Sequence, residues 1–290
     1  MSNRNNNFTL RNFAINSDQQ PSAIRSVYRA VDILVCLSSG VKTLTDITNL
    51  TKLTKPTVYR LLKTLEELLM VTQDPTTHQY YLGPLINQIA SNPETSHQYL
   101  ITCALGELKQ LWESSGETVE LNIMVGLQYR RIYEIPSRYE LKVVAGPDPV
   151  GPIFVGATAK VLLSQLDDAD LNAALKNIKI SPVTEHSVTS RKELIAQAKA
   201  AREAGYAISH GERINGALCI SVPITNYFWP VALSVVGPEG RFSPMVKQYV
   251  KEIMLSASRI SDNLCEFFEE KGVGKVSNKS KFSSKYKKEA

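Results

Sequence analysis

Residues Thr54 to Leu69, TKPTVYRLLKTLEELL, constrain this chain more than any other stretch. Thr54 is a good N-cap, and Pro56 falls in the first turn, where a missing N–H costs little. Val58, Leu61, Leu62, Leu65, Leu68 and Leu69 recur at helical spacing and predict one core-facing side. The opposite side offers Lys55, Thr57, Tyr59, Arg60 and Lys63, a set of donors and cations suited to phosphates and base edges. By itself the stretch is either a nucleic-acid reading helix or an amphipathic surface helix with a solvated basic side.

The neighbouring segments favour the first alternative. Val27, Ala30, Val31, Leu34 and Leu37 form a helical stripe that begins near Ser22, and Ser38-Ser39-Gly40 ends it. A short helix over Thr45 to Thr51 follows, with Ile47 and Leu50 expected inward. The turn Lys52-Leu53-Thr54 then leads into the basic helix, which makes a helix-turn-helix. Val71 and Thr72, the turn Asp74-Pro75-Thr76-Thr77 and Gln79 to Leu82 predict a hairpin, the wing. The unit spans residues 22–84. At about 60 residues it is near the lower limit for independent stability, so it is expected to lean on a partner or a neighbouring domain.

Charge is divided along the chain in a way the net +5 conceals. Residues 1–90 hold nine Lys/Arg against six Asp/Glu, residues 91–270 hold 17 against 21, and residues 271–290 hold seven against one. A basic front and a mildly acidic body suit a polyanion-binding module joined to a body that binds something else. Residues 1–21 are Asn-, Gln- and Ser-rich and are expected to be disordered, as is the basic tail over 269–290.

No apolar run approaches the ~18 residues of a membrane span and the start is no signal peptide, so a cytoplasmic protein with no membrane partner is expected. Cys36, Cys103, Cys219 and Cys265 are scattered without metal-ligand or disulfide spacing, which predicts buried free thiols and no metal.

Residues 85–97 form a linker, with a short helical connector over Leu85 to Ala90 broken by Ser91-Asn92-Pro93. A second domain over 98–268 begins with a helix from Tyr99 to Trp112, carrying Leu100, Ala104, Leu108 and Leu111 inward. VELNIMV, RRIYEI, LKVVA, YAIS, ALCISVPI and VALSVVG predict strands. Thr158 to Gln165, Asp170 to Asn177, Arg191 to Ala204 and Ser243 to Phe268 predict helices. This irregular alternation fits an α+β domain with an antiparallel sheet better than a doubly wound sheet.

Catalysis and nucleotide binding find no support. Gly151 to Lys160 resembles a phosphate loop only loosely, because the lysine lies four residues after the second glycine. His78, His97, His186 and His210 fall in loops or at their edges, with no ligand spacing between any pair. No catalytic residue and no cofactor are predicted. Two stretches nonetheless look like a small-molecule site. PIFVGATAK places Gly156 and Ala157 at a strand-to-helix junction, where N–H groups can hold an anion. ALCISVPI brings Leu218, Cys219 and Ile220 onto one strand and Ser234 lies on the next, giving apolar walls with a thiol and a hydroxyl suited to a small organic acid. Ordinary core strands are the alternative.

Together these segments resemble the IclR family of bacterial transcriptional regulators, from about Ser22 to Phe268. The likeness is carried by SAIRSVYRAVDILVCL, LTDITNLTKLTKPTVYRLLKTLEELLMV and HQYYLGP in the winged helix. GETVELNI, GPIFVGATAKVLLS, EAGYAI with GERINGALCISVPI, and VALSVVGPEGRFS carry it beyond. The resemblance implies a winged helix on double-stranded operator DNA, a larger GAF-like domain that binds an effector, and a homodimer or dimer of dimers. It puts the DNA-reading residues at Lys55, Thr57, Tyr59, Arg60 and Lys63, with Thr45 and the wing residues Thr77, His78 and Gln79 beside them. Effector contacts fall at Gly156, Ala157, Ser209, Leu218, Cys219, Ser234 and Val236.

Three departures bear on function. Ser209 stands where the family often has an acidic residue, and Val236 where it often has a second hydroxyl. The expected effector is therefore less polar than short hydroxy- and keto-acids, for example an aromatic or longer carboxylate. Leu69 replaces the usual glycine at the end of the reading helix, so the helix is expected to run on or to end without a left-handed cap. Two other function classes compete with this one. One is a small-molecule enzyme or sensor whose winged helix serves only dimerisation; the other is a winged helix acting on RNA or protein.

Overall fold

The computed structural model describes residues 24–90, 96–144, 146 and 148–270. The tail expected over 1–21, the break at 91–93 and residues 271–290 of the tail expected over 269–290 lie outside the described residues, while residues 269–270 continue the closing helix. The chain falls into two compact units, one ending at Ser96 and the other beginning at His97.

The first unit comprises α1 (Arg25–Ser38), α2 (Leu44–Thr51), α3 (Lys55–Glu67), β1 (Val71–Gln73), β2 (Tyr80–Leu82) and α4 (Pro84–Ala90). Its core is Ile33, Leu37, Ile47, Val58, Leu62, Leu65, Val71 and Tyr80. The predicted α1 stripe is rotated. Ile33 replaces Val27 and Val31, which stand 57% and 46% exposed, because an apolar-rich helix offers two overlapping stripes and periodicity cannot choose between them. Leu50 is likewise exposed rather than inward, leaving Ile47 as the buried residue of α2. β1 and β2 pair antiparallel, Val71 with Leu82 and Gln73 with Tyr80, so the wing forms as expected.

Leu69 overturns the expectation for the end of α3. It takes the left-handed conformation, φ 57°. The Met70 N–H reaches back to the Leu65 carbonyl (2.9 Å) and the Leu69 N–H to the Glu66 carbonyl (3.0 Å). This crossed pair is a Schellman motif, which closes the helix with the wrong residue type for it. Leu68 and Leu69 consequently leave the predicted core face and stand exposed. Gly83 packs on this turn, since a Cβ there would lie 2.2 Å from the Leu69 carbonyl oxygen.

The second unit is a six-stranded, fully antiparallel sheet in the order β5-β4-β3-β8-β7-β6. The strands are β3 (Thr118–Val125), β4 (Gln128–Ile135), β5 (Val150–Pro152), β6 (Ala207–His210), β7 (Ala217–Ile224) and β8 (Val231–Pro238). α5 (Gln98–Ser115) and the closing helix α10 (Val246–Glu270) cover one face. Leu100, Ala104, Leu108 and Leu111 are buried there, as predicted, against Leu218, Ile220, Leu233 and Val235. The other face carries α6 (Gly156–Ser164), buried along its whole length, and behind it α8 (Arg191–Ala204). The short helices α7 (Asp168–Ala174) and α9 (Glu239–Phe242) complete the unit.

Three predicted boundaries shift. Residues 141–144 of the expected LKVVA strand form no strand: the sheet continues instead from β4 to β5, which pairs over Val150–Pro152, and the Arg131 N–H bonds the Pro149 carbonyl. The helix expected over Asp170–Asn177 starts two residues earlier, where the Asp167 carboxylate caps the Asp170 N–H at 2.7 Å. The closing helix starts at Val246, because Pro244 lies in a separate 3-10 turn over Ser243–Met245.

Candidate functional site

The solvent face of the helix-turn-helix is built by its caps. The Thr43 hydroxyl accepts from the Asp46 N–H (3.1 Å) and donates to its carboxylate (2.6 Å), fixing the start of α2. Lys52 turns the chain with φ 55°, and α3 begins after Thr54, whose hydroxyl lies 2.8 Å from that of Thr57. Lys55, Tyr59 and Arg60 are exposed on α3 and Thr45 on α2, while Thr57 is half-buried. Lys63 points along the helix to the Glu66 carboxylate at 2.8 Å, which raises its ammonium pKa and offsets its charge locally.

The wing tip is held by Asp74. Its carboxylate accepts from the Thr76 and Thr77 N–H groups (2.8 and 3.0 Å), which holds it below the usual carboxylate range. Thr77 and His78 are exposed and Gln79 half-buried, with His78 at φ 55°.

In the second unit a cavity of about 50 Å³ opens where the start of α6 meets β3, β4 and the β6–β7 hairpin. Gly156 begins α6 at φ 85°, a conformation that favours glycine. The Gly156 and Ala157 N–H groups at the start of α6 are already engaged. Gly156 N–H donates to Glu212 Oε2 (3.1 Å) and Ala157 N–H to Ser209 Oγ (3.0 Å). The other Glu212 oxygen accepts from the buried ammonium of Lys160. An internal carboxylate thus fills the anion position expected at this helix start.

The remaining polar groups are also fixed. Arg213 Nη1 donates to the Tyr129 hydroxyl at 2.6 Å and its guanidinium lies 5.6 Å from that ring. Glu120 is paired with Arg131 at 3.2 Å. Beneath the floor, the hydroxyls of Thr158, Ser234 and Ser221 form a chain with spacings of 3.0 and 2.8 Å. Burial pushes the Cys219 thiol up to about 12, so it stays an S–H group with little nucleophilic character near neutral pH. No cluster of three or more metal-ligating side chains occurs among the described residues. No described helix is long and apolar enough to cross a membrane.

The comparisons with known proteins agree with both halves of this geometry. The model of the IclR helix-turn-helix domain matches residues 26–75, and that of the bacterial transcriptional regulator IclR C-terminal domain matches residues 94–262. The chain belongs to the IclR family. It is 28% identical to the HTH-type transcriptional regulator KdgR of Dickeya chrysanthemi, over 85% of this chain and 82% of that protein. It is 30% identical to XynR of Escherichia coli, over 70% of this chain and 81% of that protein. Among solved structures, an IclR-family regulator from Rhodococcus sp. aligns at TM-score 0.65 with 26% identity, covering 84% and 96% of the two chains. An IclR homologue from Microbacterium hydrocarbonoxydans, complexed with 4-hydroxybenzoate, aligns at TM-score 0.53 with 19% identity over 82% and 98%.

As an IclR-family member the chain is a transcriptional regulator with a helix-turn-helix DNA-binding domain and a C-terminal ligand-binding domain. Of the residues expected at an effector, Gly156, Ala157, Ser209, Cys219 and Val236 line the cavity. Leu218 does not. Strand alternation turns it to the opposite face, into the core under α5 and α10. Ser234 shares the cavity face but lies one layer deeper, fully buried between Thr158 and Ser221.

Sequence reasoning missed Glu120, Tyr129, Glu212 and Arg213 as site residues, although all four line the cavity and Glu212 is buried. A signal was available for Glu120. Together with Asn122 it places polar side chains at period two inside the otherwise apolar VELNIMV, the mark of a strand with one polar buried face. Arg213 and Glu212 lie in the hairpin loop, where no periodicity operates.

Proposed function

We propose that this IclR-family chain, as a homodimer or dimer of dimers, binds a near-palindromic operator through paired α3 helices under control of a small organic acid. Residues 22–84 form the DNA-reading domain, 85–97 the linker and 98–268 the effector domain, acting in the cytoplasm without catalysis. The observation that carries this reading is the exposed row Lys55, Tyr59 and Arg60 on α3, together with an open, largely apolar cavity in the second unit at the start of α6. Lys55, Thr57 and Tyr59 lie nearer the bases; Arg60 and Lys63 hold phosphates. Thr45 and the wing residues Thr77, His78 and Gln79 touch the backbone or the minor groove. Lys63 contributes less than Arg60, because Glu66 already pairs with it.

The effector is less polar than short keto-acids: an aromatic or longer carboxylate against Val143, Val155, Ile214, Ala217 and Val236. Capture of 4-hydroxybenzoate by a protein of the same fold supports an acid of that size. Operator titration over a range of salt tests the DNA assignment. Arg60→Ala should weaken binding and lower the salt slope by about 0.9, the share of one phosphate contact. Unchanged affinity and slope would remove Arg60 from the interface. Calorimetry in which pyruvate or glyoxylate bound tightly and aromatic acids did not would reject the effector class.

A further inference from the structure

We propose that Glu120 selects the effector by accepting a hydrogen bond from a hydroxyl on it, so that the ligand is a hydroxylated aromatic acid rather than a plain one. This rests on the cavity being the effector site, as proposed above, and narrows the ligand class given there.

Glu120 lines the cavity from β3, with its side chain 8% exposed. Each carboxylate oxygen accepts one hydrogen bond, and both bonds are long: Oε1 from Arg131 Nη1 at 3.2 Å and Oε2 from Asn122 Nδ2 at 3.4 Å. A well-made bond from a guanidinium to a carboxylate is about 2.7–2.9 Å. Arg131 is divided, because the same Nη1 lies 2.8 Å from Glu134 Oε2 and Nη2 donates to the Gly146 carbonyl at 3.3 Å. Glu120 receives the weaker share of that cation.

Asn122 adds to the shortage of donors. It is fully buried, its amide donates to Glu120, and its Oδ1 has no partner. A carboxylate has room for about four hydrogen bonds, and unmet capacity in a buried acceptor is costly. Glu212, the other carboxylate of the lining, is better supplied, by the buried Lys160 ammonium and the Gly156 N–H. Between the two, Glu120 is the acceptor with capacity left. Its charge reaches across the cavity: burial is the first cause of the raised Cys219 thiol, and Glu120 is the next.

The missing donor is a hydroxyl rather than an ammonium. A second cation at Glu120 would sit close to the Arg131 guanidinium, a like-charge contact in a site that is largely out of water. A hydroxyl brings the donor without the charge, and the neighbouring walls, Val143, Val155, Ala217 and Val236, suit an aromatic ring. At about 50 Å³ with an open mouth, the cavity seats the hydroxyl-bearing edge of a ring rather than a whole ligand. A hydrogen bond to a charged acceptor favours the hydroxylated ligand by roughly tenfold to a hundredfold, and an analogue that leaves the acceptor unpaired is rejected.

Calorimetry on the full chain tests the assignment with 3- and 4-hydroxybenzoate, set against benzoate and the matching fluorobenzoates, which are close in shape but donate nothing. In wild type the better hydroxybenzoate should bind at least about tenfold more tightly than benzoate and its fluoro analogue. Glu120→Ala should bring the three within about threefold of one another while benzoate affinity is held or raised, which shows that the cavity has survived. Glu120→Gln keeps the shape with a neutral acceptor, and should lower the preference several-fold.

A wild type that bound benzoate as tightly as both hydroxybenzoates would overturn the hydroxyl requirement and leave the cavity reading intact. A preference that persisted unchanged in Glu120→Ala would remove Glu120 as its source. Should Glu120→Ala fail to fold, Glu120→Gln carries the test, and an unchanged preference there would overturn the proposal. A wild type that bound none of the five probes would reject the aromatic-acid reading of the cavity itself, and this inference with it.

Discussion

Leu69 shows how one side chain can be held against its own preference. The Schellman hydrogen bonds and the close approach of Gly83 fix its left-handed backbone, which an L-residue adopts at a cost of roughly 1–2 kcal/mol. Leu69→Gly removes that cost but loosens the unfolded chain, so a net stabilisation of about 0.5–1 kcal/mol is expected in denaturant unfolding of the first unit. Gly83→Ala should act the other way. A Cβ there would meet the Leu69 carbonyl at 2.2 Å, and destabilisation of about 1–3 kcal/mol is expected.

In the second unit, His97 Nδ1 lies 2.6 Å from the Tyr227 hydroxyl, and burial lowers its pKa below the ordinary 6.5. A folded pKa below the unfolded one means the folded state binds fewer protons. The stability His97 contributes is therefore full above about 6.5 and lost as pH falls through the lowered value. The melting temperature of wild type should drop over that window, and His97→Asn should flatten the drop.

At the scale of elements, α6 is organised by a buried ion pair. Lys160 sits on a helix with no exposed face, and Glu212 reaches it from the β6–β7 hairpin while also capping Gly156. Breaking the pair from one side strands a buried charge, so Lys160→Met should cost about 3–5 kcal/mol. The double variant Lys160→Met with Glu212→Gln should recover part of that loss, which a double-mutant cycle on unfolding free energies would measure.

Most elements were legible because their periods were. The α5 stripe, the α8 helix stopped by Gly205 at φ 82°, the wing and the antiparallel sheet follow from spacing and punctuation. What escaped was set by tertiary context. The choice of stripe in α1 and the fate of Leu50 depend on which neighbour packs where. The run over 141–144 has strand composition, yet it pairs with no strand of the sheet. The cavity was legible on its α6 side from Gly156 and Ala157. It was hidden on its Arg213 side, because a loop arginine and a tyrosine 84 positions earlier meet only through the fold.

At the scale of the molecule, the division of charge matches the division of labour. The front 90 residues carry an excess of three positive charges on a scaffold with exposed Lys55 and Arg60, and residues 91–270 carry an excess of four negative ones around a cavity. DNA affinity should therefore be strongly salt-dependent and effector affinity much less so. In the function proposed above, two α3 helices related by a two-fold axis would address half-sites about 34 Å apart, one helical turn of duplex.

Selection of bound duplexes from a randomised DNA library by the full chain tests that claim most directly. The expected result is an enriched inverted repeat whose half-sites are separated by a whole number of turns, with enrichment abolished in Arg60→Ala. An unenriched library, or a recovered motif without inverted symmetry, would contradict it.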